Sequence, residues 1–433
     1  MSLFLSSILS IAVRLIGTAS GFILTLLITK SLGAAESGLY FLSFAIVTFL
    51  AVFSRLGLDM IVIKKTGSEL SSHNTYTVLN KALIVTTSLS LFFTALLFFG
   101  SDYAAEIVFN KPELGEVLSH FSFAVFVIAV LAILSMSMQG RGNSIASVMV
   151  QTVVLNMILI CYVAVTREGN DAINLATLYS ITGAGVFSIC YLLWVCRLKN
   201  KSRINKGACK DLQVHNITYY GLLTSSLPLW IFTMANQLVQ WSGLFFVGAF
   251  ATSANVAEFG VSQKIANLLT VLFMAINMVV APKLAHAFKK ENNEEVFRLM
   301  KQSTILATLV SALPMLVFAF YSRELLGLFG KDFEAAGPLL LILFAGYFYN
   351  VATGPIEILL SMSNQERVLK IVALYITPFS ILLSAILTIY FGVLGAAIAT
   401  SLTLFLQKTA IICITYKKFK LSPFAIWFRK SLC

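Results

Sequence analysis

The chain has 433 residues, of which 58% are hydrophobic and 12% charged, with a mean hydropathy of +0.88. Soluble domains carry about 25% charged residues, so this composition excludes a water-soluble globular protein. The formal charge of +12 does not point to nucleic acid, because the basic residues alternate with apolar stretches and form no single face.

Twelve apolar stretches follow one another, each near or beyond the roughly 18 to 20 residues that cross a bilayer. They cover residues 3–29, 38–63, 78–100, 117–139, 146–166, 173–196, 218–250, 257–281, 302–321, 336–360, 369–390 and 393–416. Runs this long and non-alternating exclude a transmembrane barrel, and backbone groups in hydrocarbon must be paired within each segment, so the spans are helices. The first stretch lacks the basic region of a signal peptide and is read as a span. Cys161, Cys190, Cys196, Cys209, Cys413 and Cys433 show neither a CxxC pair nor a disulfide framework, and the four histidines stand apart. No metal site or cofactor is expected.

Charge sets the orientation. With the N-terminus inside, the cytoplasmic loops collect Lys64, Lys65, Arg141, Arg197, Lys199, Lys283, Lys290, Arg298 and Arg367, while the opposite loops hold Asp102, Glu106, Glu113, Glu168 and Asp332. The positive-inside rule then places both termini in the cytoplasm. The expected organisation is an N-terminal six-helix bundle over 1–198, a basic cytoplasmic linker over 199–217, a C-terminal six-helix bundle over 218–416 and a basic tail over 417–433. The halves repeat weakly. Ala35-Glu36-Ser37-Gly38 recurs as Ala257-Glu258-Phe259-Gly260, and Ser135-Met136-Ser137 as Ser361-Met362-Ser363, at corresponding spans of each half. Such repeats characterise secondary transporters, which bind cargo near the midplane.

Several spans carry polar stripes at helical spacing. Arg14, Thr18, Gly21 and Thr25 share one face of the first span, with Arg14 roughly 16 Å along it, near mid-bilayer. Thr48 and Arg55 lie seven apart in the second. The seventh carries Ser226, Trp230, Thr233, Gln237 and Gln240; the eighth carries Gln263, Asn267, Thr270 and Asn277, with Lys264 beside them; the tenth carries Tyr347, Asn350, Gly354 and Glu357. A neutral polar residue in such a stripe is equally explained as interhelical hydrogen bonding. A charge at the centre of a span costs about 2.5 to 3.5 kcal/mol, so Arg14, Lys264 and Glu357 require water, a counter-ion or a ligand. Arg55, nearer the cytoplasmic end, has the further option of snorkelling.

Cations in a cavity select an anion. Arg14, Arg55 and Lys264 are the candidate diphosphate ligands, while Trp230, Gln237, Gln240, Gln263 and Asn267 offer the flat apolar face and the donors and acceptors that suit sugar rings. Glu357 is the candidate ion-coupling group, paired with Lys264 or Arg14 or taking up a proton. Pro228, Pro282, Pro314, Pro355 and Pro378 all fall in the second half, which makes that bundle the candidate bending half.

The opening Ala12-Val13-Arg14-Leu15-Ile16-Gly17, followed by Thr29-Lys30-Ser31-Leu32-Gly33-Ala34-Ala35-Glu36-Ser37-Gly38-Leu39-Tyr40, resembles bacterial O-antigen and polysaccharide-unit flippases (Wzx-like) of the multidrug, oligosaccharidyl-lipid and polysaccharide exporter superfamily. The resemblance implies an all-α, V-shaped transporter of twelve transmembrane helices in two pseudo-symmetric bundles, MATE-like in fold. By that resemblance it moves an undecaprenyl-pyrophosphate-linked oligosaccharide across the bacterial inner membrane by alternating access, in lipopolysaccharide or related polysaccharide synthesis. Proton or sodium gradients would drive it, and polysaccharide assembly proteins would be its partners. Arginines of the first and second spans in the related lipid II flippases correspond to Arg14 and Arg55. A further first-span arginine of those flippases falls near Ser20, where this sequence departs, and an eighth-span basic residue matches Lys264 loosely. The alternatives are an ion-coupled multidrug or metabolite antiporter of the same fold, which would favour buried carboxylates, and an integral-membrane glycosyltransferase or polymerase. An enzyme is not expected, because no acidic pair or partnered histidine stands in a sizeable loop.

Overall fold

In the computed structural model, residues 3–68, 72–166, 171–205, 218–290, 293–362 and 365–419 are described; most of the basic linker and nearly all of the basic tail lie outside them. The described residues form helices and turns, with no strand. Among the described residues, ten segments are long and apolar enough to cross a membrane. Two of these, Ala12–Ser54 and Arg367–Tyr416, are interrupted by glycines with non-helical dihedrals, Gly33 (φ 76°, ψ −178°) and Gly392 (φ 59°, ψ −140°). Each is therefore a pair of spans joined by a very short turn, consistent with the expected twelve.

The chain divides into two compact units, Met1–Met234 and Ala235–Cys433. The boundary falls inside a helix, beyond the basic segment where the sequence suggested a seam.

The first unit contains α1 (Leu3–Ser54), α2 (Leu58–Ser68), α3 (Ser72–Tyr103), α4 (Glu113–Phe121), α5 (Ala124–Gly140), α6 (Ser144–Val148), α7 (Val154–Thr166), α8 (Ala172–Asn205) and the front of α9 (Tyr219–Phe250). Helix α5 is apolar all round and correspondingly enclosed, burying Val125, Val127, Val130, Leu131, Ile133 and Leu134. It packs on α1, α2, α3 and α8. Small residues permit the close approaches. A Cβ on Gly140 would collide with the Thr66 hydroxyl and lie 2.8 Å from the Ile63 carbonyl, and one on Gly17 would lie 2.9 Å from Thr152 Oγ1.

The second unit contains the rest of α9, then α10 (Ser253–Lys289), α11 (Asn293–Phe320), α12 (Ser322–Gly327), a 3₁₀ turn over Lys331–Ala336, α13 (Gly337–Ala352), α14 (Ile356–Met362) and α15 (Glu366–Phe419). A core of Leu284, Val296, Met300, Leu359, Leu360, Val372 and Ile411 joins α10, α11, α14 and both ends of α15. Gly346 lets α13 meet α15 closely: its Cβ would fall 2.6 Å from Ser401 Cα, and Ser401 Oγ donates to the Ile342 carbonyl at 2.7 Å.

Interruptions occur in both units. Pro228, Pro314 and Pro378 lie inside helices that run on past them, whereas Pro355 coincides with the break between α13 and α14. The second span breaks with no proline at all, at Leu56–Gly57. Proline position alone therefore does not single out one half as the interrupted one.

Candidate functional site

In the first unit the site grows from the break between α1 and α2. Leu56 (φ 47°) and Gly57 (φ 72°) adopt left-handed backbone, costly for the leucine and ordinary for the glycine. A tight turn closes the break, with Leu56 N–H donating to Phe53 O at 3.3 Å and Leu58 N–H to Arg55 O at 2.9 Å. Polar backbone exposed at membrane depth needs partners from elsewhere. One comes from α9, whose Trp230 Nε1–H donates to Phe53 O at 3.1 Å while its ring meets Phe53 edge-on, centroids 5.0 Å apart. Helix α9 comes so close that a Cβ on Gly57 would sit 2.7 Å from Ser226 O and 2.8 Å from Trp230 N.

Arg55 stands at the same break and is buried. Its Nη1 lies 3.2 Å from Asp59 Oδ2, with both side chains about nine-tenths enclosed, while its Nε–H is buried without an acceptor. Snorkelling is not its solution; an acid one helical turn onward is. The structure thus brings Arg55 and Trp230 to one turn, where the indole completes the backbone and the guanidinium is neutralised. Arg14 is half-buried elsewhere on α1, its carbonyl accepting from Thr18 Oγ1 at 3.1 Å. Part of the first-span stripe faces α7 rather than open space: Thr25 is buried, and beside the stripe Asn156 Nδ2 donates to Ser20 Oγ at 3.1 Å.

In the second unit, Gln263 Nε2 donates to the Gln240 carbonyl at 3.1 Å, tying α10 to α9, and α10 also packs on α13. Lys264, Asn267 and the side chain of Gln240 are exposed, and Gln237 is half-buried. Thr270 Oγ1 donates back to the Asn267 carbonyl at 2.7 Å.

The tenth-span stripe does not run unbroken. Helix α13 ends at Ala352 and α14 begins at Ile356, with Gly354 at φ 73° between them, so Glu357 is not on the continuous helical face that i, i+3 and i+4 counting assigned to it. Its carboxylate lies 2.7 Å from Lys408 Nζ in α15. Lys408 is the partner observed, in place of the expected Arg14 or Lys264. No cluster of three or more metal-ligating side chains occurs among the described residues.

These intramembrane cations and broken helices belong to a chain that a family model described as "Polysaccharide biosynthesis protein" matches over residues 4–288. The chain is a member of the polysaccharide biosynthesis protein family. A second model, MatE, matches residues 228–390. Stage V sporulation protein B of Bacillus subtilis is 21% identical to this family member over 342 residues, 74% of this chain and 65% of that protein, just under two thirds of its length. A protein of Haloferax volcanii named as a probable low-salt glycan biosynthesis flippase is 22% identical over 93% of this chain and 81% of its own. Among solved structures, the lipid II flippase MurJ in an inward closed conformation aligns with TM-score 0.74 at 16% identity, covering 98% of this chain and 89% of that one. An inward-facing MATE family multidrug transporter aligns with TM-score 0.71 at 13% identity, covering 98% and 100%. The fold is thus the one shared by MATE transporters and MurJ, and this family member is a multi-pass membrane protein.

Two site residues escaped the reading of the sequence. Asp59 carried a signal, since Arg55 and Asp59 are spaced i, i+4, the separation at which opposite charges meet on a helix. Lys408 carried only its own improbability as a cation inside an apolar run.

Proposed function

We propose that this family member is a flippase for an undecaprenyl-pyrophosphate-linked oligosaccharide, an O-antigen or related polysaccharide repeat unit. It would work in a bacterial inner membrane with both termini cytoplasmic and alternate between inward and outward openings. The observation that carries the reading is the stripe of α10, where Lys264 and Asn267 stand exposed on a membrane-spanning helix beside Gln240. A cation on a membrane-spanning helix suits an anionic cargo, and at an effective dielectric of about 20 each cation within 4 Å of a phosphate gains on the order of 4 kcal/mol. Names among the relatives support a lipid-linked glycan as cargo, and a proton or sodium gradient would supply the drive. In this reading Arg14 and Lys264 meet the diphosphate and the amide side chains meet sugar. Arg55 would join them only on exchanging Asp59 for a phosphate oxygen.

The test is glycan export. Arg14→Ala and Lys264→Ala are expected to abolish surface glycan while membrane abundance stays unchanged; normal export in both would reject the assignment. A second reading, an ion-coupled drug antiporter, is favoured by the MatE match over residues 228–390. Drug susceptibility of a deletion strain separates the two, since an antiporter leaves glycan intact and drugs retained.

A further inference from the structure

The end of the first unit where α3 and α9 begin and α8 leaves the bilayer carries features that the proposed transport cycle does not use. Helix α8 has 34 residues, about 51 Å at 1.5 Å per residue, against a hydrocarbon thickness of about 30 Å, so its last turns stand clear of the apolar slab. Those turns read Arg197-Leu198-Lys199-Asn200-Lys201-Ser202-Arg203-Ile204-Asn205, with four cations and no acid. Below them Tyr191 Oη donates to Asn80 Oδ1 of α3 at 3.1 Å, which leaves the Asn80 amide N–H groups for another acceptor. The next residue, Lys81, holds its ammonium 4.9 Å from the centroid of the Tyr219 ring, on the first turn of α9. A ring face orients a cation but brings no counter-charge of its own. One turn deeper along α3 Ile84 is exposed, and Leu192 and Leu193 of α8 are exposed beside Tyr191, so the polar level gives way to an apolar one within about 5 Å.

We propose that this level of α3, α8 and α9 is a docking site for an anionic phospholipid of the adjoining leaflet, with its phosphodiester on Lys81 and its acyl chains along Ile84, Leu192 and Leu193. Charge names the occupant. Arg197 stands six residues beyond Tyr191, about 9 Å along α8, so the basic turns act on a headgroup at Lys81 within a Debye length of about 8 to 10 Å. A zwitterionic headgroup brings an ammonium of its own into that field, whereas an anionic one brings none. The apolar level lies within the slab, where a soluble acidic protein does not reach. Occupancy of the site is independent of the cargo.

Full-length protein in a neutral detergent is mixed with equal amounts of phosphatidylglycerol and phosphatidylcholine, and bound lipid is counted by native mass spectrometry. The first lipid retained by wild type is expected to be phosphatidylglycerol by roughly fivefold or more. Lys81→Ala should bring that ratio below about twofold and Lys81→Arg should keep it. Lys283→Ala/Lys290→Ala, which removes two exposed cations from the second unit, should leave it unchanged. No preference in wild type, or an equal loss in Lys81→Ala and in the second-unit variant, overturns the site. Undecaprenyl phosphate that displaces phosphatidylglycerol at equal concentration gives the level to a polyprenyl carrier and overturns the phospholipid assignment. Wild-type protein decides the matter should Lys81→Ala not fold: in bilayer discs, amide hydrogen exchange over residues 75–82 and 218–222 is expected to slow at least twofold with phosphatidylglycerol relative to phosphatidylcholine alone, and equal rates overturn the proposal.

Discussion

Replacing Gly57 with alanine tests the most constrained point of the first unit. Two costs combine there. The residue has φ 72°, a region that costs an L-residue roughly 1 to 2 kcal/mol. The added carbon would lie 2.7 Å from Ser226 O and 2.8 Å from Trp230 N, both backbone atoms of one helix, which no side-chain rotation relieves. Pushing α9 back costs about 1 to 3 kcal/mol as overpacking, and losing the Trp230–Phe53 hydrogen bond with it about 1 kcal/mol more. A total on the order of 3 to 6 kcal/mol should lower the midpoint of a thermal scan by roughly 10 °C. Gly142 provides the internal control: its φ is 79°, but a Cβ there meets nothing within 4 Å, so Gly142→Ala should lose only the backbone part. Equal losses in the two variants would show that the approach of α9 does not hold the break, and the account of Trp230 as its clamp would fall.

Asp59→Asn should destabilise by about 3 to 5 kcal/mol, because it strands an enclosed guanidinium, whereas Arg55→Met/Asp59→Leu should lie closer to wild type; midpoints in the same scan decide. Trp230→Phe keeps a ring against Phe53 but loses the N–H, and is expected to cost about 0.5 to 1.5 kcal/mol, with Trp230→Ala costing about 3 to 5. A Trp230→Phe variant as damaged as Trp230→Ala would assign the indole N–H far more than a hydrogen bond. Thr304→Val replaces a buried, unpartnered hydroxyl by a methyl group and should raise stability by about 1 kcal/mol, with the midpoint of the same thermal scan as the readout.

The all-helical membrane fold was legible because hydrocarbon leaves an unpaired peptide group no cheap alternative, so hydropathy alone marks the helices. What happens within a span was not legible. Gly17, Gly57, Gly140 and Gly354 look alike in apolar surroundings, yet all four admit a close neighbour and only Gly57 and Gly354 also turn the chain left-handed. The pair Gly354-Pro355 did hold a turn signal, overridden by the surrounding stripe. Charges were legible as costs but not as pairs. Arg55 found its partner one turn away, within reach of local counting, whereas Glu357 found Lys408 through tertiary packing that no spacing rule encodes. For the same reason Trp230 read as a platform for sugar, since nothing in its own helix announces a hydrogen bond to the Phe53 carbonyl.

Because the unit boundary falls after Met234, the front of α9 belongs structurally with the first unit although the sequence repeat assigns it to the second. A gene cut at the basic linker would deliver a leading fragment without its own Trp230, its Phe53 carbonyl left with only the Leu56 N–H. Co-expressed pieces divided near Ala251, past the end of α9, should reassemble better than pieces divided at the linker. The two halves are accordingly not interchangeable cassettes, and any duplication that produced them has since been stitched across its own seam.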